Sequence, residues 1–413
     1  MTEVCEPMKK IAVFIADYNI DYSPSILHLL DYLTENFRVE LFIKNVAFKR
    51  SRILRKENIS VIEVRPKLNL RWFWNDLRYK VKEFLKYHIG WNQKMVFKIG
   101  KRLALEKIRA KMSARIYLAW IAIEPQGLIL CKEIFPASHP IYYSLELYLR
   151  SDLSRLGRDE VSNLTVRHLM ENERRYIHDI SGLIIQSREK ENLFRSDYEL
   201  ADTVPSLTLP VTCQGNAVRE KSNYLRHMLH IPDVKKIALH LGGMNAWFSC
   251  LEIAREFAAL DGWVIVFQGN HNREYLRLFQ RMTKADKTDN IIVLRKFLTE
   301  INSLDRILMS CDIGIAWYND ISLNFSTAGQ SSGKIASYLK FGLPIIAKRY
   351  PSTEEAVAKP GCGICVDSMN KIPEALGTIS RDYPFFSANA LLEYERRYRF
   401  ENYHQSLNEF LSL

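Results

Sequence analysis

The chain has 413 residues, 47% of them hydrophobic and 25% charged, a composition typical of a globular protein in water with about two domains. No apolar run reaches the roughly 18 residues that span a bilayer. Residues 1–10 lack the apolar core of a signal peptide, so we expect a cytoplasmic protein. The seven cysteines are scattered and indicate no disulfide framework.

The net charge of +11 is concentrated in one segment. Residues 44–115 carry 21 Lys and Arg against five Asp and Glu, a local charge of +16. Aromatic side chains interrupt these basic residues at Trp72, Phe73, Trp74, Tyr79, Phe84, Tyr87, Trp91 and Phe97. This basic aromatic segment suits the anionic inner face of a membrane, although a solvated helical surface would show the same pattern. Nucleic acid would be attracted by the same charge, but we expect none as a partner.

Short apolar runs alternate with helical patterns in the first half of the chain. Residues 10–16 have the pattern of a buried strand, and Ser23 with Pro24 marks the start of a helix. Further strand patterns follow at 38–43, 60–64, 115–123, 140–143 and 182–186. No GxGxxG motif follows the first strand, which argues against a nicotinamide or flavin site. We assign residues 1–205 to an N-terminal Rossmann-like domain.

A second alternation of strands and helices follows a break. Residues 206–234 contain Pro210, Gly215 and Pro232, and we interpret them as an interdomain linker. Strand patterns then occur at 236–241, 263–267, 290–294, 312–317, 343–347 and 363–366. We assign 235–388 to a second Rossmann-like domain and 389–413 to a helical tail that could pack on the first. The sequence therefore predicts an α/β protein with two doubly wound parallel sheets facing one cleft.

The stretch 331–347 (SSGKIASYLKFGLPIIA) has the pattern of an anion-binding helix followed by a strand. Ser331 or Ser332 is placed to cap the helix, and Gly333 lets a ligand approach the backbone. Lys334 lies in the first turn, where a cation opposes the helix dipole at a cost of roughly 0.3–1 kcal/mol. A phosphate on the first-turn amides would remove this cost, so we predict an anion site here. The alternative is an ordinary lysine in solvent.

Three loops of the second half follow predicted strands, where parallel sheets bind ligands. The candidate nucleotide-binding residues are Gly242, Gly243 and Asn245 after one strand, Asn270 after the next, and Arg295 with Phe297 after the third. The glycines would let a phosphate or sugar reach the backbone. Ordinary turns and a solvated rim explain the same residues.

Two glutamates follow strands of the first half. Glu146 and Glu124 each lie just past a predicted strand end, facing the expected cleft. A carboxylate in this position can orient or deprotonate an acceptor hydroxyl. For Glu146 the alternative is an ion pair with a nearby arginine such as Arg150.

The second half resembles the donor domain of glycosyltransferases with the GT-B fold. The likeness is to the retaining group that includes glycogen synthases and bacterial envelope sugar transferases (glycosyl transferases group 1). The residues that carry it are 236–245, 263–270, 291–297, 312–316 and 331–348, with 143–148 and 181–187 in the first half.

This resemblance implies a sugar donor of the UDP or GDP type in the second domain and an acceptor in the first. It also implies retention of the anomeric configuration, no required metal and no cofactor. The residues expected to hold the donor phosphates are Gly242, Gly243, Ser332, Gly333 and Lys334. We therefore predict a hexosyltransferase-like enzyme acting on a glycan or lipid-linked acceptor in cell-surface polysaccharide or glycolipid synthesis.

The chain also departs from the family pattern. Many members have a glutamate at the positions aligned with Gly329 and Ser337, the second of which binds the nucleotide ribose. Many also have an arginine and a lysine where this chain has residues 245–248. Two alternatives therefore accompany the prediction: a nucleotide-sugar 2-epimerase of the same fold, and a non-catalytic protein that binds sugar or nucleic acid.

Overall fold

The computed structural model describes residues 8–16, 20, 23–44, 52–64, 105–106, 108–112, 115–151, 160–270, 273–283, 288–294 and 301–412. Most of the basic aromatic segment 44–115 lies outside these ranges, as do Arg295 and Phe297. Among the helices within them, none is long and apolar enough to cross a bilayer.

The first domain contains a sheet of seven parallel strands. They are β1 Lys10–Ile15, β2 Arg38–Ile43, β3 Ile59–Glu63, β4 Ala119–Ile123, β5 Ile141–Tyr143, β6 Gly182–Ile185 and β7 Ser206–Thr208. Their spatial order is β3-β2-β1-β4-β5-β6-β7, so the direction of winding reverses between β1 and β4. A crevice forms at such a reversal, at the C-terminal ends of the strands.

The second domain repeats this plan with six parallel strands. They are β8 Lys236–Leu241, β9 Trp263–Gln268, β10 Ile291–Leu294, β11 Ile313–Ala316, β12 Ile345–Lys348 and β13 Gly363–Val366. The order is β10-β9-β8-β11-β12-β13, and the winding reverses between β8 and β11. The prediction of two doubly wound parallel sheets is therefore confirmed.

Helices connect these strands and cover the sheets. They are α1 Pro24–Asn36, α2 Glu124–Ile134, α3 Glu160–Tyr176, α4 Arg188–Tyr198, α5 Tyr224–Leu229, α6 Cys250–Ala258, α7 Arg273–Thr283, α8 Ile301–Met309, α9 Leu323–Ser326, α10 Gly333–Lys340, α11 Pro351–Thr353, α12 Ile372–Arg381, α13 Tyr383–Glu393 and α14 His404–Leu411.

The strands read as continuous apolar runs because both faces of each sheet are buried. In β1, Val13 and Ile15 belong to one apolar core, while Ala12 and Phe14 on the opposite face belong to another. The second sheet likewise has a core on each face. The strands inside each sheet therefore contribute to two cores at once, whereas the edge strand β7 has no fully buried residue.

Two element boundaries differ from the sequence prediction. β4 begins at Ala119 rather than at residue 115, and Ile116, at 88% exposure, lies outside the sheet. The segment 206–234 contains β7 and α5, so the first sheet continues past residue 205. A strand of three residues and a helix of six are too short to show a periodic pattern.

The C-terminal tail packs on the first domain. Phe400, Leu407, Phe410 and Leu411 are buried in one of the cores of the first sheet. The hydroxyl of Tyr32 in α1 donates to the carbonyl of His404 at 3.1 Å.

The chain crosses between the domains twice, and the crossings pair with each other. The Cys213 amide donates to the Tyr398 carbonyl, and the Phe400 amide donates to the Cys213 carbonyl, each at 2.9 Å. The two segments therefore form a parallel bridge between Cys213 and Arg399.

Candidate functional site

Lys334 lies in the first turn of α10, which begins where the sequence predicts. Ser332 is the cap, since its hydroxyl accepts from the Ile335 amide at 3.2 Å. The Lys334 ammonium is buried and has no hydrogen-bond partner among the described residues. It lies 4.2 Å from the ring centre of Phe248 and 4.7 Å from that of Tyr318. Burial lowers the pKa of Lys334 to about 8. An ordinary solvated lysine does not fit this environment.

The glycine turn after β8 lies directly beside this ammonium. A Cβ added to Gly242 would lie 3.7 Å from the Lys334 nitrogen, and Gly242 has a φ of 115°, a conformation that favours glycine. Tyr338 of α10 fixes the two elements relative to each other. Its hydroxyl accepts from the Leu241 amide at 2.8 Å and donates to the Leu239 carbonyl at 2.9 Å. Lys334 and Gly242 thus meet where the second sheet reverses its winding.

The turn after β9 packs against the turn after β8. A Cβ on Gly269 would lie 1.7 Å from the Gly242 carbonyl oxygen, so only glycine fits there. The Met244 amide donates to the Asn270 carbonyl at 2.8 Å. The predicted turns at Gly242, Gly243 and Asn270 therefore form one continuous rim.

Several predicted donor-binding side chains are bonded within the protein. The Ser331 hydroxyl donates to the Thr327 carbonyl at 3.3 Å, and the Ser337 hydroxyl donates to the Gly333 carbonyl at 2.8 Å. The Asn245 side chain accepts from the Trp247 amide at 2.9 Å. Lys334 is thus the predicted donor-site side chain whose polar group is left buried and unpaired.

Two buried polar side chains near this position have no counterpart in the sequence prediction. The Nδ1 atom of His240 and the Oε1 atom of Gln268 are buried without hydrogen-bond partners among the described residues. Burial, and then the charge of Lys334, hold the pKa of His240 well below its usual value. The sequence did contain a signal for both residues, since each is a polar side chain in an apolar strand: His240 within β8 and Gln268 at the end of β9.

Glu124 follows β4 at the reversal of the first sheet. Its Oε1 accepts from the amides of Leu145 and Glu146 at 2.6 and 3.0 Å, and the Tyr148 hydroxyl donates to its Oε2 at 3.0 Å. The side chain is 2% exposed, and its φ of 61° is left-handed. Burial and then the charge of Glu146 raise the pKa of Glu124 to about 7. Glu124 therefore holds the loop that carries Glu146 and is itself closed off from the cleft.

Glu146 is more accessible and has a cationic neighbour. The residue is partly exposed, and burial raises its pKa while the ammonium of Lys190 opposes that rise. Lys190 is buried and donates to the Leu145 carbonyl at 3.2 Å, as does the Gln186 amide at 2.8 Å. Lys190, rather than Arg150, is therefore the charged neighbour that affects Glu146. This arrangement can accept a hydrogen bond or a proton from a hydroxyl.

Asn324 of the short helix α9 joins the two halves of the site. Its Oδ1 accepts from the Leu147 amide at 2.7 Å, and its Nδ2 donates to the Leu147 carbonyl at 2.9 Å. The ring of the next residue, Phe325, lies 5.6 Å from that of Phe248 and 6.1 Å from that of Tyr318. The loop that bears Glu146 is therefore linked to the aromatic residues around Lys334.

Among the residues that the structure describes, no three His, Cys, Asp or Glu side chains are grouped so that they could hold a metal ion. Among the described residues, Lys334 supplies positive charge on the donor side and Lys190 on the acceptor side.

Residues 261–390 match the family model described as the glucosyltransferase 3-like C-terminal domain. No curated protein sequence is significantly similar to the chain. Many solved structures are similar to the chain, including three that match it over nearly its whole length. Sucrose-phosphate synthase from Thermosynechococcus elongatus has a TM-score of 0.68 and 12% identity, with 97% of this chain and 98% of that chain covered.

The second is HepE from Anabaena in complex with UDP-glucose, with a TM-score of 0.67, 14% identity, and 98% of this chain and 99% of that chain covered. The third is WaaG, a glycosyltransferase involved in lipopolysaccharide biosynthesis, with a TM-score of 0.61, 11% identity and the same coverage. The predicted likeness to GT-B glycosyltransferases is therefore confirmed. The epimerase alternative receives no support from these matches.

Proposed function

We propose that the protein transfers a sugar from a UDP-sugar to a hydroxyl group of a glycan or lipid-linked acceptor. The observation that carries this proposal is the buried, unpaired ammonium of Lys334 beside Gly242 and the first turn of α10. A buried cation without a partner is costly and becomes favourable when an anion binds it. We propose UDP rather than another nucleotide because HepE, which has a similar fold, was solved with UDP-glucose.

The donor side of the reaction requires stabilisation of a leaving diphosphate. As the bond between the sugar C1 and the β-phosphate oxygen breaks, negative charge collects on that oxygen. The Lys334 ammonium and the first-turn amides of α10 would hold this charge in a site shielded from water. We propose that this positive charge takes the place of a metal ion and that Gly242 and Gly243 let the phosphates approach.

The acceptor side requires a group that receives a proton. We propose that the Glu146 carboxylate orients the acceptor hydroxyl and takes its proton as the oxygen bonds to C1, after which the proton passes to solvent. Glu124 would act through the loop, since its carboxylate already binds the amides of Leu145 and Glu146. We propose retention of the anomeric configuration from the family resemblance, which requires the acceptor oxygen to bond to C1 on the same face that the diphosphate leaves. NMR of the product glycoside tests this.

Titration calorimetry with UDP, GDP, CDP and ADP tests the donor site. We expect UDP to bind most tightly and Lys334→Ala to weaken it roughly 10- to 100-fold, the contribution of a charge-assisted hydrogen bond. Lys340→Ala is the matched control, because it removes the same charge from the last turn of the same helix and should leave the affinity unchanged. Failure of every nucleotide to bind, or equal affinities for the two variants, would contradict the proposal.

Glu146→Gln separates acceptor chemistry from donor binding. We expect the UDP affinity to be unchanged and kcat for transfer to fall by roughly 100-fold or more, since general base catalysis contributes about that much. In the wild type the rate should fall as the pH drops through the pKa of Glu146, which burial raises above its usual value. A Glu146→Gln variant with wild-type kcat would show that this carboxylate is not the base.

We propose that the basic aromatic segment 44–115 binds the cytoplasmic face of the membrane. This contact would bring the enzyme to an acceptor that is linked to a lipid. The support is its local charge of +16 and its aromatic residues. Flotation with vesicles rich in anionic lipid tests this, with charge reversal at Arg71, Arg78 and Lys82. Binding that survives these reversals, or does not weaken with added salt, would contradict it.

A further inference from the structure

Trp247 is an exposed tryptophan at the rim of the donor site. Its side chain is 55% exposed. It follows the glycine turn, in the short 3-10 turn Ala246–Phe248. A large aromatic side chain left in solvent at the mouth of a binding site is a candidate ligand contact.

The backbone that carries Trp247 is held by Asn245, which accepts from the Trp247 amide, and by Asn319. The Asn319 amide donates to the Trp247 carbonyl at 2.9 Å, and its Nδ2 donates to the Ala246 carbonyl at 2.7 Å. The Ser249 hydroxyl donates to the Asn319 Oδ1 at 2.9 Å. Ser249 itself has a φ of 48°, a left-handed conformation that costs a non-glycine residue energy. The fold thus fixes this turn in one conformation although its tryptophan packs little.

The position of the indole is set by the residues on either side. The next residue, Phe248, faces the Lys334 ammonium at 4.2 Å. The indole ring meets Phe325 edge to face, with 6.0 Å between the ring centres. Asn324, beside Phe325, bonds Leu147 in the loop of Glu146. Trp247 therefore lies on the edge shared by the proposed donor and acceptor sides.

We propose that the indole face of Trp247 is a stacking platform for a pyranose ring of the acceptor. The proposal rests on the proposed function and adds the class of group bound beside the transferred sugar. An aromatic face carries negative charge density, and the axial C–H groups of a pyranose present a weakly positive, apolar face to it. Rigid aromatic side chains give such contacts at low entropy cost.

The surroundings of the indole favour a sugar over a lipid chain. The polar groups of the same turn include the side-chain amides of Asn245 and Asn319. The N–H groups of such amides can also donate to the hydroxyls at the edge of a sugar ring, whereas an alkyl chain offers no group for them to bind.

Saturation-transfer NMR on the full chain tests this at a saturating concentration of UDP. The probes are the methyl β-pyranosides of glucose, galactose and N-acetylglucosamine. We expect transfer from the protein to the ring C–H protons of at least one probe. It should fall roughly 5- to 10-fold in Trp247→Ala, the contribution of one aromatic contact, and recover in Trp247→Phe. Phe385→Ala, which removes another aromatic side chain at 59% exposure, is the control and should behave like the wild type.

The outcomes separate this inference from the proposed function. If UDP binds by calorimetry and no probe receives saturation, or Trp247→Ala retains the full effect, the platform is disproved while the donor site stands. Loss of UDP affinity in Trp247→Ala with recovery in Trp247→Phe would assign the indole to the nucleotide and overturn the proposal. If UDP does not bind the wild type, it is the proposed function that fails. Thermal unfolding of each variant confirms that it is folded.

Discussion

Burial of the Lys334 ammonium destabilises the folded protein in its charged form. The ammonium has no hydrogen-bond partner among the described residues, and its pKa falls from 10.5 to about 8. Below pH 8 the folded protein must hold a buried charge that the unfolded chain exposes to water. The cost is about 3 kcal/mol on the usual conversion of a pKa shift, roughly 1.4 kcal/mol per unit. Sites prepared for a ligand are often unstable without it.

Lys334→Met should therefore stabilise the free protein at pH 7 by up to about 3 kcal/mol, which raises its melting temperature by several degrees. It should weaken UDP binding roughly 10- to 100-fold, as Lys334→Ala does. The wild type should become more stable as the pH rises from about 8 to 10.5, since the unfolded state there binds the extra proton. The variant should lack this rise. Calorimetric scans at pH 7 and 10 measure the stability of both proteins. A variant less stable than the wild type at pH 7 would contradict the prediction.

Single residues were predictable from the sequence where local physics decides. The mismatch of Lys334 with its helix dipole and the cap at Ser332 are both visible in the stretch 331–334. The sequence did not show that Glu124 holds the loop of Glu146. Its carboxylate, just after β4, binds the amides of Leu145 and Glu146, which follow β5 about 20 residues later. Long-range partners of this kind have no signature in spacing.

At the scale of elements, the four-residue helix α9 carries more of the site than its length suggests. Asn324 binds both backbone groups of Leu147, and Phe325 joins the rings of Phe248 and Tyr318. The sequence did not predict α9, since four residues show no helical period. Helix α10 was predicted, because it has a cap at Ser332, buried residues at helical spacing such as Ile335 and Leu339, and Gly342 just after its end.

Asn324→Ala should weaken the link between acceptor loop and donor domain. We expect the UDP affinity to change by less than about twofold while kcat falls roughly 10-fold, since two hydrogen bonds of about 1 kcal/mol each position the loop. Asn324→Asp keeps one acceptor for the Leu147 amide and should lie between the wild type and Asn324→Ala. Equal loss of UDP affinity and kcat would point to a role in donor binding instead.

At the scale of the molecule, the C-terminal tail belongs to the core of the domain that begins the chain. A Cβ added to Gly182 in β6 would lie 2.7 Å from the Phe410 ring, so the ring of the tail packs directly against the backbone of this strand. The sequence showed a helical tail, and the apolar face that it buries became clear only in the fold.

Phe410→Ala should destabilise the protein by about 3–5 kcal/mol through the cavity that it leaves. Urea denaturation, followed by fluorescence, measures this. Leu392→Ala, at a position in α13 that is 66% exposed, is the control and should change stability by less than about 0.5 kcal/mol. Similar effects for the two variants would show that the tail is not part of the first core.

The paired crossings at Cys213 and at Tyr398 to Phe400 have a mechanical consequence. A single polypeptide link would let the domains swivel freely about its bonds. Two neighbouring links that share hydrogen bonds act instead as a hinge, which allows rotation about one axis and hinders rotation about the others. Relative motion of the domains is thereby reduced toward one opening angle. A closing motion about this axis would bring the loop of Glu146 back to the same position relative to Lys334 each time.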